Sequence, residues 1–125
     1  MGRAIMGIYK IENLITQEIY IGQSIDINRR WEQHKKAVIE DRMNQKLYRN
    51  IREYGAENFK FEVLEITKDR MKLDLLEFEY IEKYDSYKNG LNSTNGNAAN
   101  ICRYLLSENN KLKGIINKLV DEVLL

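Results

Sequence analysis

Residues 5–22 read Ile-Met-Gly-Ile-Tyr-Lys-Ile-Glu-Asn-Leu-Ile-Thr-Gln-Glu-Ile-Tyr-Ile-Gly. The segment 5–12 is rich in branched and aromatic side chains, which fit the pleated surface of a β-strand. Asn13 to Gln17 reads as a turn, and Glu18 to Gly22 as a second strand. So short a connection makes an antiparallel hairpin the simplest pairing. Pairing symmetric about that loop sets Tyr9 directly opposite Tyr20, and directly paired residues project from one sheet face. Each tyrosine also has a glycine two residues away, Gly7 and Gly22. Glycine weakens a strand interior and often marks a place where backbone or ligand comes close.

Downstream, Ser24 or Asp26 is placed to cap a helix that runs from Ile27 to about Glu40. Ile27, Trp31 and Val38 face its core side, while Arg30 and His34, four residues apart, share an adjacent face. A second helix, from about Asn44 to Tyr54, turns Leu47, Tyr48, Ile51 and Tyr54 inward and ends near Gly55. Alternation of Phe59, Phe61 and Val63 with polar residues predicts a third strand over 59–66. From about Arg70 to Tyr84 a helical stripe returns, made of Leu73, Leu76, Tyr80, Ile81 and Tyr84, with Glu77 inside it. The Asn-, Ser- and Gly-rich stretch from Asp85 to Asn100 predicts a loop. About Tyr104 to Leu124 predicts an amphipathic helix, with Asn109, Leu112, Ile116, Leu119 and Val123 at coiled-coil-like spacing.

The fold expected is therefore α+β: a small three-stranded antiparallel sheet flanked by helices, plus a C-terminal amphipathic helix. Residues 1–100 form the expected domain, and 101–125 an extension that packs on it or mediates a weak homodimer.

With 43% hydrophobic and 31% charged residues, the 125-residue chain reads as one ordinary globular domain. It has no apolar run near the roughly 20 residues that a membrane crossing needs, and Met1 to Tyr9 lacks the apolar stretch of a secretory signal. The single cysteine, Cys102, excludes an internal disulfide. That usage fits a reducing compartment, so a cytoplasmic location is expected. Net charge is only +1, but residues 1–60 hold 11 Lys/Arg against 8 Asp/Glu. The excess comprises Arg29, Arg30, Lys35, Lys36, Arg42, Lys46, Arg49 and Arg52. Such a stretch suits contact with DNA phosphates, and a solvated mixed-charge helix surface accounts for it equally well.

Packing alone does not call for four of these features. Strand tyrosines are ordinary half-buried residues, yet these two stand beside glycines. Arg30 and His34 are either a surface pair or a phosphate grip beside a group whose pKa near neutrality suits proton transfer. His34 is the only histidine, which excludes a multi-histidine metal cage. Glu77 in an apolar stripe needs a partner, either a salt bridge or a metal ion that keeps much of its water. Asn92 in a Gly/Asn loop fits simple turn formation.

The order of these residues resembles the GIY-YIG nuclease family. Gly7-Ile8-Tyr9, Tyr20-Ile21-Gly22, then Ser24 and Asp26 ahead of Arg30, Trp31 and His34 look like its signature. Glu77 before Tyr80-Ile81 is similar to its metal-binding glutamate, and Asn92 after Asn89-Gly90-Leu91 to its downstream asparagine. The resemblance spans about residues 5 to 97 and comes closest to the catalytic domains of phage-type homing endonucleases. It implies hydrolysis of DNA phosphodiesters with one divalent ion, Mg2+ or Mn2+, at Glu77. Tyr9, Tyr20, Arg30, His34, Glu77 and Asn92 are the implied catalytic residues. Arg29, Lys35, Lys36, Arg42, Lys46 and Arg49 are the expected DNA contacts. Arg30 rather than Arg29 takes the family's arginine position, because Trp31 follows it and it shares the His34 face. The alternatives are a DNA-binding module on the same fold without cleavage, and a protein-interaction module built on the C-terminal helix.

Overall fold

The computed structural model describes residues 4–40, 45–96 and 99–108. Strand β1 (Gly7–Asn13) lies at the centre of a three-stranded antiparallel sheet, between β2 (Ile19–Ser24) and β3 (Phe59–Ile66). Helices α1 (Ile27–Glu40) and α2 (Lys46–Tyr54) follow the hairpin, and α3 (Leu73–Tyr84) follows β3. Short 3-10 turns at Ala56–Asn58 and Arg70–Lys72 lead into β3 and α3. The chain is helical again over 99–108, here α4. Among the described residues, no helix is long and apolar enough to cross a membrane.

The expected α+β fold is what forms, with one change of register. Tyr9 pairs with Gly22, and Tyr20 with Ile11, so the two tyrosines are diagonal neighbours rather than direct partners. The cause lies in the turn. Asn13 N–H donates to the Glu18 carbonyl at 2.9 Å, and the Asn13 side-chain oxygen accepts from the amides of Ile15 and Thr16. That closes a four-residue loop, Leu14 to Gln17, and moves the pairing by two positions. A two-residue shift keeps every side chain on its own face, so both phenols still share one.

Two cores fill the two faces. Tyr9 and Ile11 pack with Ile27, Leu47, Tyr48 and Ile51 beneath α1 and α2. Ile8 and Ile21 pack with Leu73 and Ile81 beneath α3. Each fully buried aliphatic chain contributes roughly 1.5–3 kcal/mol. The start of α1 is fixed where the sequence placed it: Asp26 Oδ1 accepts from the Arg29 amide, and Ser24 Oγ from that of Asp26. Gly55 closes α2 with a φ of 87°, a conformation that glycine takes without strain.

Helix α4 is already formed at residue 99, earlier than the expected start near Tyr104. Tertiary contacts hold this turn of the helix: Ile101 is buried, and the Asn100 side-chain amide donates to Asp74 on α3 at 3.0 Å. The apolar seam at Asn109, Leu112, Ile116, Leu119 and Val123 lies outside the described residues.

Candidate active site

Tyr9 projects from the central strand into the angle between the sheet and α1. It is completely buried. Its ring lies across the backbone of β2 at Gly22, where any side chain would overlap the phenol. That is the close approach which the glycine signalled. On the other side, the pairing of β1 with β3 slips between Ile8 and Tyr9, so a bulge adjoins the tyrosine. Bulges of this kind re-aim a side chain and often lie beside functional sites.

Three rings, Tyr20, Trp31 and His34, stand around Tyr9. Its hydroxyl is 2.5 Å from His34 Nε2. Tyr20 and Trp31 have ring centroids 6.3 Å from it, and Trp31 meets it edge-on. His34 Nδ1 lies 2.9 Å from the hydroxyl of Tyr48 on α2. The imidazole is thus held between two phenols, a role for Tyr48 that its inward, core-type spacing in the sequence did not reveal.

Arg30, one helical turn before His34, is half-buried and donates to Gln33 Oε1 at 3.2 Å, with Tyr9, Tyr20 and Tyr48 within its electrostatic reach. Burial alone would lower its pKa, but the three phenols outweigh this and raise it. Arg29 is exposed, as the register argument expected.

Two expectations about His34 change. It is a buried residue, 1% exposed, and not a surface one. Its pKa is far from neutrality: burial, reinforced by the Arg30 charge, lowers it to about 4. At neutral pH the ring is uncharged, with one nitrogen donating and the other accepting. Burial, with the help of Tyr20, pushes the Tyr9 phenol up, and Arg30 partly offsets this. Tyr20 is raised by burial too, with Glu77 adding and Arg30 opposing. Tyr20 therefore stands between the cationic and acidic parts of the site.

Glu77 approaches from the other side of β2. Its pKa is raised to about 7, chiefly by burial; Asp74 adds to the shift, while a hydrogen bond with Gln23 opposes it. Gln23 also donates to Asp74 Oδ1 at 2.6 Å. No Lys or Arg forms an ion pair with Glu77 among the described residues. A half-buried carboxyl without a cationic partner among the described residues fits a divalent ion, which would restore its charge. No group of three metal-ligating side chains occurs among the described residues, so Glu77 would act as a lone carboxylate with water and phosphate oxygens.

Asn92 sits on the outer edge of β2. Its side-chain oxygen accepts from the Ile21 amide and its NH2 donates to the Ile21 carbonyl, both at 2.8 Å. Leu91 N–H donates to the Ile19 carbonyl at 2.8 Å, so residues 91–92 seal an otherwise open strand edge. Of the expected DNA contacts, Arg29, Lys35, Lys36 and Arg49 are exposed and Lys46 is half-buried. Lys35 pairs with Glu32 at 3.2 Å. Arg42 lies outside the described residues.

This sheet, with tyrosines on β1 and β2, an Arg/His helix and a glutamate on α3, defines a class. The model of the GIY-YIG catalytic domain matches residues 5–92, and the chain belongs to that family. It is a nuclease fold. Among solved structures, the chain is similar to the catalytic domain of homing endonuclease I-TevI. Identity is 27%, 71% of this chain and 98% of that one are covered, and the TM-score is 0.65. A glutamate-to-alanine mutant of the catalytic domain of intron endonuclease I-TevI gives 25% identity, 74% and 97% coverage, and a TM-score of 0.68. No curated protein matches the chain.

Proposed function

We propose that this chain is a divalent-metal-dependent endonuclease that hydrolyses DNA phosphodiester bonds at the site formed by Tyr9, Tyr20, Arg30, His34 and Glu77. The observation that carries this reading is the arrangement around the phenols. The Arg30 charge acts on Tyr9 and Tyr20, the Tyr9 hydroxyl is 2.5 Å from a neutral histidine, and a half-buried glutamate with no cationic partner among the described residues acts on Tyr20.

Arg30 clamps the scissile phosphate through charge-assisted hydrogen bonds. Glu77 holds Mg2+ or Mn2+, which when bound supplies Lewis-acid stabilisation of the charge that builds on the phosphate oxygens. Tyr9 orients the attacking water and receives its proton as its own passes to His34 Nε2. In the free protein this transfer is strongly uphill, because Tyr9 is raised and His34 lies near 4. The negative charge of a bound phosphodiester raises the histidine and so lowers that cost. Tyr20 fixes the water or phosphate between Arg30 and Glu77, and Asn92 keeps β2 in register beneath them. Arg29, Lys35, Lys36, Arg42, Lys46 and Arg49 contact flanking phosphates. Residues 1–100 carry this chemistry, and 101–125 form an extension.

Incubation with supercoiled plasmid tests the reading. Nicked or linear DNA should appear with Mg2+ or Mn2+ and disappear with EDTA. Absence of any metal-dependent cleavage of duplex, branched or single-stranded DNA would reject it.

A further inference from the structure

We infer that Tyr48 is a positioning residue whose hydroxyl accepts the Nδ1 proton of His34, so that Nε2 keeps its lone pair toward Tyr9. The inference rests on the proposed relay for its functional meaning, but it concerns a proton that the ring carries with or without DNA.

A neutral imidazole has one donor and one acceptor. His34 has a phenol at each nitrogen, Tyr9 at Nε2 (2.5 Å) and Tyr48 at Nδ1 (2.9 Å), and both hydrogen bonds are buried. The two tautomers therefore exchange the roles of the two tyrosines. Arg30 breaks this symmetry. Of the three phenols within its electrostatic reach, Tyr9 feels Arg30 most and Tyr48 least, so its charge lies toward the Nε2 end of the ring. An imidazole dipole has its negative end at the lone pair, and a cation beside Nε2 favours the lone pair there. The opposite tautomer would turn the positive N–H end of the ring toward that cation. The second nitrogen's partner is what fixes the tautomer of a working histidine.

Tyr48 is well built for this task. It is 2% exposed and lies between Leu47 and Ile51 in the core under α2, so packing holds its hydroxyl in place. Tyr48→Phe keeps the ring and removes only the acceptor. Nδ1 would then have no partner among the described residues, and the proton is free to move to Nε2, which blocks transfer from Tyr9.

The test is direct because the chain has a single histidine. In protein labelled with 15N in the imidazole, the wild type should show a protonated nitrogen at Nδ1 and an imine-type nitrogen at Nε2. In Tyr48→Phe both signals should move toward those of mixed tautomers. The variant's kcat on plasmid should fall about tenfold with KM unchanged, as when a histidine loses its orienting partner. A wild-type ring protonated at Nε2, or a folded variant with the wild-type ring spectrum, would overturn the inference. Should the variant fail to fold, the wild-type spectrum alone decides between the tautomers. A wild type that cuts no DNA would remove the nuclease reading and leave the tautomer result standing.

Discussion

Tyr9 reaches its place because residue 22 is glycine. The sequence carried that message, since a glycine two residues from a strand tyrosine signals close approach, and the phenol does lie across Gly22. The sequence did not carry the chemical state of His34. Its burial depends on α1 and α2 closing over Tyr9, a tertiary event that i, i+4 spacing cannot report. Tyr48 was hidden for a similar reason: a core-facing tyrosine on an amphipathic helix shows its apolar body in the pattern, and not the partner of its hydroxyl. Arg30 and Arg29 are separated by about 100° on the helix, and only Arg30 reaches the phenols. Arg30→Ala should lower the single-turnover cleavage rate about 100-fold, the scale of a lost transition-state donor. Arg29→Ala should weaken DNA binding a few-fold at moderate salt with little change in that rate. The reverse ranking would mean that the catalytic arginine was misassigned.

At the scale of elements, strand β3 and helices α1 and α3 were legible from hydrophobic periodicity, and for α1 the caps agreed as well. The hairpin register was not, because it depends on side-chain hydrogen bonds from Asn13 within the turn. The edge of β2 was also invisible. Asn92 lies 71 residues along the chain from Ile21, and its pairing of both amide atoms with that backbone needs the whole fold. Asn92→Ala leaves the Ile21 N–H and C=O unpaired in a buried position. It should lower stability by about 2–3 kcal/mol in urea unfolding, the cost of orphaned backbone groups. A loss near zero would show that water replaces the amide and that the clamp does not hold β2.

Across the whole molecule, the site places two oppositely shifted groups on either side of β2. His34 titrates at 6.5 in an unfolded chain but at about 4 here. Between those values the unfolded chain holds more protons, so this contribution, on the order of 3 kcal/mol, is lost as pH falls from 6.5 to 4. Glu77 goes from 4.5 to about 7, so the folded chain holds more protons, and its contribution is lost as pH rises from 4.5 to 7. From pH 4.5 to 6.5 the two slopes cancel. In EDTA, Glu77→Gln should unmask the histidine, and the urea midpoint of the variant should drop as pH falls through that window. A variant whose midpoint falls no more steeply than that of the wild type would contradict these pKa shifts.

The two halves of the site meet at Tyr20, and a metal-dependent nuclease needs the ion at Glu77, in the α3 half. The most direct measurement is plasmid cleavage by Glu77→Gln beside the wild type in Mg2+, with DNA binding followed in parallel. The variant should bind duplex DNA with near wild-type affinity yet produce no nicks. Cleavage at the wild-type rate would contradict that role for Glu77.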